Sequence, residues 1–137
     1  MTRSTAPAFV SNTLASPTVS VAARLALASP FAISGVLKLL DFGGATAEVR
    51  GLGLASPAFV AGAVVATQIL GSMLFLSRRF RWLGAGLLSG FTVFATLLAH
   101  AFWQSEGVER AHQVATFLEH GAIVGGLVLA AHLAERP

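Results

Sequence analysis

The chain alternates between long apolar runs and short polar breaks, and the runs fall near residues 20–40, 57–77, 82–103 and 114–133. Crossing a hydrocarbon core takes roughly 20 apolar residues in a helix, and each run is long enough. One buried helix of a soluble domain could explain a single such run, but not four that fill most of the chain. The third run carries its own ruler. Trp82 and Trp103 bracket it, and at about 1.5 Å per residue they stand about 31 Å apart, the thickness of a bilayer core. Tryptophan favours the two interfaces, where its ring is in lipid and its N–H meets water. A β-barrel would need alternating strands of about ten residues, and these are absent. The pattern predicts an all-α integral membrane four-helix bundle over residues 18–137, preceded by a flexible tail at 1–17 rich in Ser, Thr, Ala and Pro.

Composition agrees. The chain is 55% hydrophobic and only 11% charged, against about 25% charged in soluble domains. A water-soluble globule, a disordered tail and a nucleic-acid module are excluded, and the lipid bilayer is the first partner. The net charge of +3 comes from scattered arginines and one lysine, not from a phosphate-binding field. The chain has no cysteine, which removes disulfides, cysteine-ligated zinc, iron–sulfur clusters and thiol redox chemistry. No metal centre is suggested. The first run holds Arg24 and Lys38 and lacks the short apolar core of a cleaved signal peptide, so it reads as a span.

Basic residues set the expected orientation. With both termini on one side, that side carries Arg3, Arg24, Arg78, Arg79, Arg81 and Arg136, and the other carries Lys38, Arg50 and Arg110. The excess places the termini and the 78–81 loop in the cytoplasm, with the loops at 41–56 and 104–113 outside. Arg24, Arg78, Arg79 and Arg81 are the cytoplasmic anchor. The same charges also suit an anionic-lipid site, and Arg24 can snorkel or meet a lipid or quinone head group.

Gly86-x-x-x-Gly90 and Gly121-x-x-x-Gly125 let helix backbones approach closely. They are read as contacts inside the bundle in preference to dimer contacts. Pro30 should kink the first helix, with Ser29 and Ser34 available to the freed carbonyls. Leu25-Ala-Leu-Ala-Ser-Pro and Leu52-Gly-Leu-Ala-Ser-Pro look like a repeat, but one proline falls mid-helix and the other at a helix start. The match is compositional.

Each run also carries a polar stripe. Thr92, Thr96, His100 and Gln104 recur every four residues on the third, so they share one face. The first carries Ser34, Lys38 and Asp41, the second Gln68 and Ser72, and the fourth His112, Thr116 and either Glu119 or His120. Adjacent residues point about 100° apart, so Glu119 and His120 cannot face the same way. Lys38, His100 and Glu119 all lie in the outer third of the bilayer, and ionisable groups there are functional candidates by default. Lys38 and His100 also have plain readings, as a snorkelling lysine and an interfacial histidine bonded to a threonine. A carboxylate at Glu119 must pair, take a proton or face water, and Lys38 could pair with it. The expected site is one polar cavity near the outer face. It comprises Lys38, Thr96, His100, Trp103, Glu119 and His120, with Gln68 reaching from the midplane.

These residues carry a resemblance. Arg24, Gly35 and Lys38 resemble the first-helix signature of the DoxX family. The run His100-x-Phe102-Trp103-x-x-Glu106-Gly107-x-Glu109-Arg110 resembles the end of the third helix and the loop after it in the family's bacterial inner-membrane branch. Phe117-Leu118 and Ala122-Ile123-x-Gly125-Gly126 resemble its fourth helix, so the likeness spans about residues 20–133. It implies a four-helix, multi-pass protein of the bacterial plasma membrane. The family takes its name from a small subunit of an archaeal thiosulfate:quinone oxidoreductase, and some members resemble partners of superoxide- or thiol-defence enzymes. Two positions depart from it. Gln68 stands where the family usually has Glu, and Glu119 where it often has Asn. The polar C-terminal tail of many members does not appear before Pro137.

Three functions compete. The first is an accessory subunit of a membrane redox system, with a quinone-type ligand between the helices and His100 bonding a carbonyl or relaying a proton. The chain shows no flavin fingerprint, so catalysis would be shared with a redox subunit. The second is a non-catalytic scaffold that docks a partner protein or a second copy of the chain. The third, haem held by His100 and His120, suits four-helix bundles but gains nothing from the resemblance.

Overall fold

The computed structural model describes residues 5–134, which form six α-helices and one 3-10 turn, with no strand among them. In chain order the helices are α1 (Ala8–Leu14), α2 (Pro17–Leu40), α3 (Phe42–Gly51), α4 (Pro57–Leu76), α5 (Arg81–Ala99) and α6 (Gly107–Ala134), with the 3-10 turn at Phe102–Gln104 before α6. Four stretches are long and apolar enough to cross a membrane: α2, α4, Arg81–Gln104 and α6. The chain is a multi-pass membrane protein of the expected class. Its odd and even spans run in opposite directions, so one end of the bundle carries α1 and the arginine loop and the other carries α3. Arg3 and Arg136, which entered the charge count, lie outside the described residues.

Local chemistry sets the breaks. Pro17 and Pro57 open α2 and α4, where a missing N–H costs no helical hydrogen bond. Ser77 closes α4 and turns the chain. Its hydroxyl donates to the Leu74 carbonyl at 2.7 Å and accepts from the Phe80 N–H at 3.1 Å. Inside α2, Pro30 leaves the Ala26 carbonyl without its usual donor. The Ser29 hydroxyl supplies one at 2.9 Å.

The spans pack in order, α2 on α4, α4 on α5 and α5 on α6, while α2 meets α6 only lightly. Phe31, Phe75, Leu88 and Leu127 make the centre with Ala28 and Ala85. Glycines set the closest approaches. A Cβ on Gly84 would lie 2.6 Å from the Phe75 Cα and 2.7 Å from the Gly71 carbonyl oxygen, so α4 and α5 touch backbone to backbone. One on Gly35 would lie 2.9 Å from Ile69 Cγ1, and one on Gly126 2.9 Å from Leu27 Cδ2.

The Gly-x-x-x-Gly pairs expected inside the bundle are elsewhere. A Cβ on Gly86, Gly90, Gly121 or Gly125 would meet nothing within 4 Å, so both motifs face outward. The packing glycines sit on other faces of the same helices. Three boundaries also differ from the apolar runs. Residues 8–14, in the segment read as a tail, form α1. The third span's α-helix stops at Ala99, with His100 as its C-cap, so Trp103 sits in the 3-10 turn and not on the same helix. The fourth span starts at Gly107, well before the apolar run at 114, because its polar first turns are helical too.

The loop expected at 41–56 is largely helix. The Asp41 carboxylate caps α3 by accepting from the Gly44 N–H at 2.9 Å. Ala45 and Val49, one turn apart, then bury against Ala61 of α4. Thus α3 lies along the outside of α4 and beside the end of α2.

Candidate functional site

The expected polar residues divide into three groups. At the end of α2, Lys38 pairs with Glu48 of α3. Asp41 ends α2 and starts α3, and the turn it makes brings Glu48 back beside Lys38. The Lys38 side chain is 22% exposed and that of Glu48 66%, so the pair lies at a surface. It stands on the rim of an apolar groove of about 370 Å³ between α3, α4 and α5, whose walls include Val49, Val64, Phe91 and Phe94.

Deeper in the bundle, Gln68 of α4 is 5% exposed. Its Nε2 donates to the Ser34 hydroxyl of α2 at 3.2 Å, and its Oε1 is buried with no hydrogen-bond partner. The Ser72 hydroxyl donates to the Gln68 carbonyl at 2.7 Å. Gln68 therefore ties α4 to α2 and does not reach the outer groups. A neutral amide at this depth avoids the desolvation a carboxylate would suffer.

The third group lies between α5 and α6. Gln113 donates to Glu109 at 2.7 Å, and Gln113 Oε1 stands 2.7 Å from His100 Nδ1. The His100 and His120 rings meet edge to face with centroids 5.2 Å apart. His120 Nδ1 is 2.7 Å from the Thr96 hydroxyl, which is also 2.6 Å from the Thr92 carbonyl. These partners fix the tautomers. The Thr92 carbonyl only accepts, so Thr96 spends its single proton there and must accept from His120 Nδ1–H. An ionised Glu109 only accepts, so Gln113 presents its amide N–H₂ to it and its oxygen to His100 Nδ1–H. Both imidazoles carry Nδ1–H, which leaves both Nε2 atoms as bases when the rings are neutral.

Thr96 and His120 also form the polar wall of a groove of about 140 Å³, completed by Thr92, Val93, Leu97, Phe117 and Gly121. That is close to the roughly 150 Å³ of an apolar cavity able to take up benzene. Val93 and Leu97, each about half exposed, flank its opening. Phe102 rests on Phe117 and Trp103 with ring centroids 5.3 and 5.1 Å away, an aromatic cover over the turn that follows His100.

Thr96, His100 and His120 thus come together, while Lys38 and Gln68 belong to other groups. Trp103 meets Phe102 edge to face, and Phe102 in turn meets Phe117 of the groove wall. Glu119 is exposed, one residue and about 100° round the helix from the inward His120. The expected Lys38–Glu119 pair does not form because Glu48 takes its place. At the opposite end, Arg24 and Arg78 line one concavity with the buried Arg81, whereas Arg79 lies over the Phe80 ring at 5.5 Å. Sequence reasoning assigned no site role to Glu48, Glu109 or Gln113, although Glu109 stands in the run that resembles the family. Glu109 and Gln113 stand four residues apart, a signal that was available once α6 was extended to Gly107.

A haem does not fit between His100 and His120. A porphyrin held by both would have to separate the rings, and they are in contact with each other. Among the described residues no group of three or more His, Cys, Asp or Glu could hold a metal ion.

No curated protein and no solved structure matches the chain. A family model for DoxX matches residues 19–101, from the start of α2 past the end of α5. The resembling stretches in α6 lie outside that match. The matched segment holds nearly all of the first three spans and covers more than half of the 137 residues, and with its four-span helical architecture the chain belongs to the DoxX family.

Proposed function

We propose that this protein is an accessory subunit of a redox system in the bacterial plasma membrane, and that it holds the ring of a quinone-type ligand in the α5–α6 groove. One observation carries the reading. A hydrogen-bonded chain runs from exposed Glu109 through Gln113 to His100, which touches His120, and His120 bonds the Thr96 hydroxyl at the groove wall. Reducing a quinone to its quinol takes up two electrons and two protons. In this reading the two histidines, as bases at Nε2, take up and supply the protons, while Glu109 and Gln113 orient the His100 ring. The electrons come from a partner subunit, since the sequence carries neither a flavin fingerprint nor a thiol. In this reading the arginine end faces the cytoplasm and α3 the outside, as the charge excess requires.

The test is chemical. Protein taken from its native membranes into nanodiscs should carry a quinone-type molecule, identified by native mass spectrometry and solvent extraction. Gly121→Leu, which fills the groove, should lose it. Gly86→Leu, on an outward face of α5, should keep it. Wild-type protein without a quinone, together with unchanged respiratory flux in His100→Ala, would reject the reading.

The second reading, a non-catalytic scaffold that docks a partner protein, has its own support in the outward-facing Gly86, Gly90, Gly121 and Gly125. Bare glycine faces admit a foreign helix closely. Crosslinking across these faces that enriches one partner, without any bound quinone, would favour it.

A further inference from the structure

The end of the bundle opposite α3 holds a concavity of about 500 Å³ between the first turns of α2 and the α4–α5 turn. Pro17 and Ser20 line it with Arg24, Arg78 and Arg81. Arg24 is partly buried, and its Nη1 donates to the Ser20 hydroxyl at 2.9 Å, which aims the guanidinium. Arg81 is 8% exposed and its Nε lies 3.4 Å from the Phe75 carbonyl, so it forms the inner wall and is engaged with the protein. Arg78 is exposed at the rim. No side chain caps the first turn of α2, and the positive end of that long helix adds to the field.

A second, apolar groove opens from the first. Ser20, Arg24 and Arg81 line both, and beyond them the second runs past Leu14, Leu27, Ala130 and Leu133 towards the end of α6. A topology anchor needs only charge near the surface. Here a cationic mouth leads into a greasy channel, which is the shape of an anionic amphiphile.

We propose that this paired site binds one phosphate-bearing anionic phospholipid, with the phosphate against Arg24 and Arg78 and one acyl chain in the groove bounded by α1, α2 and α6. Guanidinium forks match phosphate oxygens two at a time, which a diffuse surface charge does not. Arg79, in the same loop, lies over Phe80 and does not line the concavity. It is the internal control.

Native mass spectrometry of the full chain in detergent, titrated with phosphatidylglycerol, phosphatidylcholine or inorganic phosphate, tests this. One phosphatidylglycerol per chain should bind more tightly than phosphatidylcholine, and inorganic phosphate should not displace it. If each arginine that faces the phosphate strengthens binding about fivefold, Arg24→Gln with Arg78→Gln should weaken it about 25-fold. Arg79→Gln removes the same single charge as Arg24→Gln but from a side chain outside the concavity, and should leave binding within about twofold. If the double variant does not fold, Arg24→Gln alone carries the same comparison with Arg79→Gln. Equal binding of both lipids, an equal loss in Arg79→Gln, or displacement by inorganic phosphate would each overturn the proposal.

Discussion

Glu48 of α3 is the partner of Lys38, and the two stand together only because Asp41 reverses the chain between them. The pair lies at a surface, where such contacts contribute about 0.2–1 kcal/mol. A double-mutant cycle of Lys38→Met and Glu48→Gln, read by unfolding in detergent, should give a coupling in that range. The same cycle with Glu119→Gln should give none, and a Lys38–Glu119 coupling as large would show that the pairing is wrong.

Both histidines of the α5–α6 group should be Nδ1–H tautomers near neutral pH when uncharged. Nitrogen-15 NMR of labelled protein in bilayers reads this directly, with the protonated nitrogen assigned as Nδ1 in His100 and His120. Thr96→Val removes the acceptor of His120 and should release its tautomer while leaving that of His100 in place. An Nε2–H ring in either residue of the wild type would break the hydrogen-bond logic.

Gly84 and Gly86 lie on the same helix, yet substitution should separate them sharply. Gly84→Ala drives a methyl into the α4 backbone and should cost about 1–3 kcal/mol or more. Gly86→Ala meets open space and should be neutral or slightly stabilising, since alanine favours helix over glycine by up to about 1 kcal/mol. Thermal unfolding of the two variants in one detergent makes the comparison.

Ser29 matters because of Pro30. Ser29→Ala leaves the Ala26 carbonyl without its donor and should cost about 1 kcal/mol. In a Pro30→Ala background the helix N–H returns, and the same substitution should then cost little. Equal costs in both backgrounds would mean that the serine answers to something else.

The four spans were legible because bilayer thickness imposes a length that few other constraints imitate. The helix α3 was not. Its Gly43-Gly44 pair and its charges suit a loop, and the Asp41 cap together with the packing of Ala45 and Val49 on Ala61 outweighs that local preference. Since α3 carries Glu48, missing it also misassigned Lys38. The polar stripe of α5 brought Thr96 and His100 to the same side, facing α6, because residues four apart share a face whatever that face meets. Depth along the bilayer, in contrast, says nothing about direction round it. Glu119 and Lys38 share a level but not a neighbourhood. Outward glycines looked like inward ones for the same reason, as spacing fixes a face but not what lies opposite.

The contact of Gly84 with the Phe75 backbone bears on how the protein is made. Only residues 77–80 separate α4 from α5, so once α4 has emerged, the surface that α5 will cover is already at hand. Such a pair can form as a single hairpin, glycine face against backbone, with Arg78, Arg79 and Arg81 at its bend. A hairpin in the middle of the chain would offer α6, whose buried residue is Leu127, a packed face to dock on.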